Sequence, residues 1–586
     1  MPGEPPPFAV SPLTWDDDGL PRSSLYGDVY FSAEGGVAES RAVFLEGCGL
    51  PDAWKGRWRF TVGELGFGTG VNIAALLDLW RRTRDPGALL HIFSVEAHPI
   101  TKAEAERALS HWPEVAEAAQ ALTRRWPGRA RGFHRLELPQ FGAILDLAVM
   151  EAGEALTAWR GKADAWFLDG FAPAANPQMW REDLLALVAS HSNAGARAAT
   201  FTVAGAVRRG LEAAGFMVEK RPGFGRKRER LEARLPGRPL PPPAPPRVAI
   251  IGAGIAGASL ARAFRALGVE AQVFGGADGA SANPAALVTP RLDAGFGPPA
   301  QLYADSFRHA VSLYGELPDA VIACGARQLE TSDRDARRFA AIAESDIFEP
   351  GSMTATAGGL TMGEALVVDP TLVLHLWSPQ RGALVERLER DGPIWQLHSG
   401  GEIVEVDVVC LAAGWGSAAL WPGLRLQPIR GQASWASGVA IEEAVAFGGY
   451  AIPTRDGVLF GATHDRDITD TAVREEDNAR NLALVAKGQP QLAEALAGRP
   501  LEARASIRAA TPDRFPLAGA VPGAEGLFVL SGLGSRGFCT APLLAENIAA
   551  KVLGFPSPLQ HHLATLVEPA RFAARDNRRG GSAPGR

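Results

Sequence analysis

Two glycine loops, three carboxylates and a handful of arginines carry the chemistry open to this chain. Glu64-Leu65-Gly66-Phe67-Gly68-Thr69-Gly70 ends one apolar run, and Ser94-Val95-Glu96 ends the next. Glycines let backbone approach a ligand closely, and a carboxylate at Glu96 can accept both hydroxyls of a ribose. Asp169 closes a further apolar run in DAWFLDGFAP, a place suited to an acceptor that positions a nucleophile and takes its proton. The second loop, Gly252-Ala253-Gly254-Ile255-Ala256-Gly257, follows RVAII. There the first glycine permits a tight turn, the second lets backbone meet a pyrophosphate, and the third lets helix pack on strand. No Gly-Lys-Ser/Thr follows the first loop, which argues against a nucleoside triphosphate.

The elements that must position these groups alternate strand with amphipathic helix from Arg57 onward. Strands are expected near 60–65, 91–95, 143–149, 163–168 and 198–202 in an open parallel sheet, whose reactive groups gather beyond the carboxyl ends of the strands. The first fifty residues, with SLYGDVYFS and SRAVFLEG, read as short strands that cap or cover this domain. After its last strand, Lys220, Arg221, Arg226, Lys227, Arg228 and Arg230 cluster around the turn Pro222-Gly223-Phe224-Gly225. This basic loop with one aromatic suits a phosphate backbone and a stacked base; the alternative is a solvated charged hairpin. The proline-rich strip 236–246 reads as a semi-rigid linker, which gives domains at 1–235 and 247–570 and a disordered arginine- and glycine-rich tail at 571–586.

Composition bounds the setting. A chain of 586 residues, 46% of them apolar, can bury several cores. A net charge of -6 gives no global attraction to nucleic acid or anionic membranes, so either partner must be met by a local basic patch. Cys48, Cys324, Cys410 and Cys539 form no metal or disulfide spacing, and neither do His464 and the pair His561-His562. No apolar run is long enough to cross a bilayer. These features fit a cytoplasmic protein without metal.

The first loop resembles motif I of class I S-adenosylmethionine-dependent methyltransferases. That resemblance implies a Rossmann-like α/β domain whose cofactor is held by Glu64, Gly66, Gly68, Gly70, Glu96 and Asp169, with Asp169 also catalytic. In the second loop the acid expected at the end of the next strand is missing: Val273-Phe274 runs into Gly275-Gly276, with Asp278 slightly later. Three later stretches restore the pattern, Gly279 to Asn283, Val408 to Gly414 and Gly532 to Gly537 before a helix from Ala541. Together they resemble the FAD-dependent amino acid oxidase family, an α/β fold with an inserted substrate subdomain. By that resemblance FAD is held by Gly252, Gly254, Gly257, Ser281, Asn283, Gly414, Gly534, Ser535 and Arg536. Arg508 is implied, with Arg430 as a second candidate, to grip a substrate carboxylate.

The order of modules, with DAWFLDGFAPA, GFGRKRE and GLGSRGFCTAPL, resembles the family of bifunctional tRNA 5-methylaminomethyl-2-thiouridine biosynthesis proteins. What this implies is an FAD-dependent removal of the carboxymethyl group from 5-carboxymethylaminomethyl-uridine in tRNA, with release of glyoxylate, followed by S-adenosylmethionine-dependent methylation of the exposed amine. Lys220, Arg221, Arg226, Lys227 and Arg228 would then contact tRNA, and no obligatory protein partner is evident. Two other readings stand beside it. One is a fused oxidase and N-methyltransferase for free glycine-like amines, and the other is a non-catalytic flavin-bearing RNA-binding protein.

Overall fold

The computed structural model describes residues 11–17, 19–31, 35–225, 227–276, 279–379 and 382–573. They fall into two compact units: the residues up to Ala244 together with Phe555–His561, and Pro245–Gly554 together with the residues from His562. The sequence reading placed Phe555–His561 in the second domain. Phe555 instead packs edge-on against Trp58, with ring centroids 5.5 Å apart. The proline-rich strip is likewise pinned rather than free, since Arg57 Nη2 donates to Leu240 O and Trp58 Nε1 to Pro243 O. Arg226, Asp278 and the tail beyond 573 lie outside the described residues.

The first unit is built on an eight-stranded sheet. In spatial order its strands are Gly132–Leu138, Ala143–Val149, Leu89–Glu96, Arg59–Leu65, Ala163–Leu168, Ser192–Thr200, Glu229–Arg234 and Met217–Pro222. The central five run parallel. The remaining three are antiparallel; two of them form the charged hairpin that the sequence offers as an alternative, and Gly132–Leu138 has no counterpart among the expected strands. Parallel strands are covered on both faces. Accordingly Phe60, Val62, Leu90 and Ile92 enter one core, while Leu65, Phe93 and Val95 enter the other. The chain leaves Arg59–Leu65 toward one edge and returns to Ala163–Leu168 on its other side. The crevice therefore opens where Gly66 and Asp169 emerge, directly after the paired Leu65 and Leu168.

The opening segment departs from the expected strands. Leu13–Trp15 and Pro21–Ser23 form a short hairpin, but Gly36–Ser40 is helical and continues through Arg41–Glu46 in wider, π-type turns. Val37, Ser40 and Phe44 recur at helical spacing and are buried, and that period overrides the alternation read from SRAVFLEG.

The second unit holds a five-stranded sheet in the order Gln272–Phe274, Val248–Ile251, Val408–Leu411, Leu527–Ser531 and Leu517–Ala520, parallel except for the last. Beside it lie a ten-stranded sheet that carries Gln427–Ser437 and Glu502–Ala510, and a three-stranded antiparallel sheet over 385–406. Ile255–Ala266 packs its apolar face on the parallel sheet. The helix expected from Ala541 spans Gly537–Leu553, starting four residues earlier, and carries Pro542 inside it. Proline lacks the N–H that would bond the carbonyl four residues back. Tyr314 Oη supplies the replacement, donating to Phe538 O at 2.8 Å.

Candidate active sites

The first unit encloses a cavity of about 590 Å³ at the crevice of its sheet. Gly66 lines it with φ +90, and a Cβ there would meet Asp169 O at 2.3 Å, so the loop and the Asp169 turn touch backbone to backbone. Glu96 faces the cavity and is held at both oxygens, by Gly68 N–H and His98 N–H, each at 2.9 Å. Each oxygen keeps lone-pair capacity for a ribose hydroxyl. The helix Val71–Thr83 points its N-terminus at the same space and places Asn72 there, whose Nδ2 donates to Asp169 Oδ2 at 2.7 Å. Tyr26, Tyr30, Phe31, Phe67, Phe171, Phe201 and Phe224 supply apolar walls. A nucleotide-sized cavity with a fixed ribose-binding carboxylate and close glycine backbone fits S-adenosylmethionine.

Not every residue of the expected motif reaches this space. Glu64 lies behind the loop, fully buried and hydrogen-bonded to Ser94 Oγ, and burial holds its carboxyl well above the usual range. Gly70 caps the helix and faces Trp126 and Phe67. Both shape the loop from behind. Asp169 does open on the cavity, with protein packed around the rest of it. Burial is the main cause that pushes its carboxyl up to about 7, against the Asn72 hydrogen bond and Lys227, which favour the charged form. Because an alkylamine acceptor, with an ordinary pKa of about 9 to 10, must lose a proton as well, methyl transfer should rise steeply with pH below 7 and go on rising with a lower slope above it. A rate flat from pH 5.5 to 8 would contradict this.

The basic run splits between two environments. Met217–Pro222 and Glu229–Arg234 form the hairpin, where Lys220 pairs with Glu229, Arg221 with Glu219 and Arg230 with Glu232. Their charge is neutralised locally, as in a solvated hairpin. Arg228 is exposed, whereas Phe224, Gly225 and Lys227 turn into the cavity mouth. The sequence grouped Lys227 with its neighbours because spacing alone does not reveal which way a turn residue faces. Tyr26, Tyr30, Glu39 and Asn72 also line the site and were not singled out. No residue spacing marks them, since three come from the irregular opening segment.

The second unit contains a larger cavity, about 1190 Å³, running from the second glycine loop to the ten-stranded sheet. Gly252, with φ +112, lies so close to the neighbouring strand end that a Cβ would meet Ala412 O at 2.4 Å. Gly254 lines the cavity, while Gly257 faces Gly252 O and packs helix on strand. Ser281 Oγ accepts Ile255 N–H at 3.0 Å and so fixes the following loop against the helix N-terminus. Arg504 holds that loop from the other side by donating to Gly279 O. Asn283, Gly414, Gly534, Ser535 and Arg536 all line the same space, and Arg536 is anchored on Thr289 O and Oγ1. Glu386 lines it as well, although the strand end at Gly275 lacks the usual acid. The glycine backbone, the helix N-terminus and the length of the cavity fit a dinucleotide such as FAD.

Arg508 and Tyr450 face this cavity from the ten-stranded sheet, and His464 from the loop after Gly457–Gly461. His464, which shows no metal spacing in the sequence, thus lines a cavity. Burial, followed by the nearby guanidiniums of Arg508 and Arg466, lowers its pKa and leaves the imidazole neutral at neutral pH. Arg430 requires the opposite correction. Arg508 pairs with Ile429 and Arg430 with Ile507, so alternation along the strands sends the two arginines to opposite faces. Arg430 is fully buried, 2.6 Å from Asp477 Oδ2 and 2.7 Å from Ala472 O, out of reach of any substrate carboxylate. Arg430→Met should lower unfolding stability by about 2 kcal/mol by removing one of the two guanidiniums on buried Asp477, with Arg480 remaining, whereas Arg508→Met should change it by under about 1 kcal/mol. Denaturant midpoints decide between them.

Among the described residues no helix is long and apolar enough to cross a membrane, and no group of three or more His, Cys, Asp or Glu could hold a metal. The two folds and their cavities define a fusion of an S-adenosylmethionine-dependent methyltransferase with an FAD-dependent oxidoreductase. Residues 113–236 match the family described as S-adenosyl-L-methionine-dependent methyltransferase, and residues 247–551 match FAD dependent oxidoreductase. The chain is 59% identical over 590 residues to the tRNA 5-methylaminomethyl-2-thiouridine biosynthesis bifunctional protein MnmC of Caulobacter sp. (strain K31), covering 97% of this chain and 98% of the relative. It is 43% identical over 583 residues to the protein of that name from Maricaulis maris (strain MCS10), covering 97% of each. Among solved structures it is similar to iminodiacetate oxidase from Chelativorans sp. BNC1, at 24% identity and a TM-score of 0.47, over 53% of this chain and 96% of that one. This chain belongs to the MnmC family of bifunctional proteins.

Proposed function

We propose that this protein completes a tRNA wobble-uridine modification in two steps. The second unit converts 5-carboxymethylaminomethyl-(2-thio)uridine to 5-aminomethyl-(2-thio)uridine, and the first then methylates the amine to 5-methylaminomethyl-(2-thio)uridine. The observation that carries the reading is that relatives named for this biosynthesis align with the chain across both units. Bound FAD supplies a two-electron acceptor, and bound S-adenosylmethionine supplies an electrophilic methyl group. The residues do the rest. Arg508 offers a guanidinium for the carboxylate of the carboxymethylamine, with Tyr450 and neutral His464 around it. In the first unit Asp169, steadied by Asn72, accepts a hydrogen bond from the amine, orients its lone pair toward the methyl group and takes up the proton released on transfer.

Three results test this reading. Cells lacking the protein should accumulate the carboxymethylaminomethyl nucleoside in their tRNA; an unchanged nucleoside profile, with methylation of free glycine-like amines by the purified protein, would favour the small-amine alternative. Arg508→Ala should raise the KM for the carboxymethyl substrate about 10- to 100-fold, the usual worth of hydrogen bonds to a charged group, and Arg508→Lys should recover part of it. The tRNA is held in part by Arg226 and Arg228, so that replacing both with glutamine should weaken binding and flatten its salt dependence by about two counterions. An unchanged salt slope would leave the hairpin without a role in tRNA binding. A tRNA substrate supports a cytoplasmic location.

A further inference from the structure

Three charged side chains converge on the methyl-transfer cavity from distant parts of the chain: Glu39 from Gly36–Ser40, Asp169 from the turn after Ala163–Leu168, and Lys227 from the hairpin turn. Lys227 Nζ is 2.8 Å from Glu39 Oε1 and sits over the Phe201 ring, 3.8 Å from its centroid. Lys220 and Arg221 pair within their own hairpin, whereas the partners of Lys227 belong to the cavity wall. That placement fixes a Lys227–Glu39 ion pair at the mouth of the site, with the ammonium group over the Phe201 ring.

A primary alkylamine with a pKa of about 9 to 10 is mostly protonated at neutral pH and has no lone pair to attack with. A carboxylate alone makes this worse, because it stabilises the ammonium. Resting on the function proposed above, we propose that Lys227 is an electrostatic positioning residue of methyl transfer. Clamped by Glu39 and Phe201, its cation disfavours the ammonium form of the incoming amine while sustaining the Asp169 carboxylate that receives the amine's hydrogen bond. The ammonium proton leaves to water before attack, and the proton released as the new C–N bond forms passes to Asp169. The other groups acting here are Asn72, which donates to Asp169, Glu39, Glu64 and Glu96, which oppose its ionisation directly or through one another, and Asp16, Arg22, Tyr26, Asp28, Tyr30, His98 and Glu151 on the cavity wall. Of the charges named as acting on Asp169, Lys227 is the cation.

The test is the pH dependence of methyl transfer to tRNA already bearing aminomethyl-uridine, with the full chain and saturating S-adenosylmethionine. Lys227 is 46% exposed, so water screens it and the expected effect is modest. Lys227→Met should move the acidic limb to higher pH by about half to one unit, a loss of about two- to fivefold at pH 7 that recovers by about pH 9. Lys227→Arg should keep the wild-type limb, and S-adenosylmethionine affinity should be unchanged in both variants. An unmoved limb with weaker tRNA binding and a flatter salt slope would make Lys227 a phosphate contact and overturn the proposal. A loss equal at every pH, with weakened S-adenosylmethionine binding, would make it structural and overturn it too. Wild-type protein that leaves aminomethyl-uridine unmethylated would sink the functional reading itself, an outcome distinct from an active enzyme whose limb stays still.

Discussion

Asp169→Ala should leave cells with tRNA that carries 5-aminomethyl-uridine and almost none of the methylated nucleoside. The side chain touches the methyl-transfer cavity, bonds Asn72 at 2.7 Å and has its carboxyl pushed up to about 7, where it can both accept and release a proton near neutrality. Removing a positioned proton acceptor typically slows a reaction about 10²- to 10⁴-fold. Asp169→Asn keeps the volume and an acceptor oxygen but cannot take the proton, so it should fall short of the alanine variant in loss and still remain far below wild type. Oxidation in the other unit does not involve Asp169 and should proceed. Mass spectrometry of tRNA digests reads the result directly. If the carboxymethylaminomethyl nucleoside accumulates instead, the roles given to the two units are reversed or wrong.

Gly254→Leu should produce the complementary lesion. A Cβ at Gly254 meets little besides Ser281 Oγ at 3.1 Å, so the fold has room, yet the branched side chain would stand where backbone must approach a pyrophosphate. The purified protein should lose its yellow colour, with bound flavin falling at least about tenfold, the order expected when about 1.4 kcal/mol or more of binding is removed. Its tRNA should retain the carboxymethylaminomethyl nucleoside, while tRNA supplied with the free aminomethyl group should still be methylated. Gly252 is a poorer test. Its left-handed backbone and the Ala412 carbonyl at 2.4 Å from a Cβ mean that any side chain there would disturb the strand ends themselves. A yellow Gly254→Leu protein with a wild-type melting curve would remove this loop from the flavin site.

Much of the site is written in local sequence. The two glycine loops, Glu96 and Asp169 each sit at a strand end, and a strand end followed by glycine is fixed by a few neighbouring residues whose conformational limits are their own. The carboxyl ends of parallel strands then bring Gly66, Glu96 and Asp169 to one crevice without further information. The antiparallel additions, Gly132–Leu138 and the hairpin Met217–Pro222 with Glu229–Arg234, were less legible because edge strands carry mixed polar sequences whose pairing depends on a partner far away.

What the sequence by itself determined was therefore the class of each unit and the backbone that cradles each ligand, since local spacing and glycine sterics suffice for both. The tertiary structure alone decided which charges act there. Arg430 and Arg508 look interchangeable as sequence, but the register Ile429 to Arg508 puts one in a buried pair with Asp477 and the other at the cavity. Lys227 looks like one member of a basic run, yet the turn carries it to Glu39, 188 positions earlier, and the opening segment folds Tyr26 and Tyr30 over the same space. A side chain's direction depends on register and on contacts between residues remote in sequence. Electrostatics, which falls off with distance through space, follows those contacts and not the spacing along the chain.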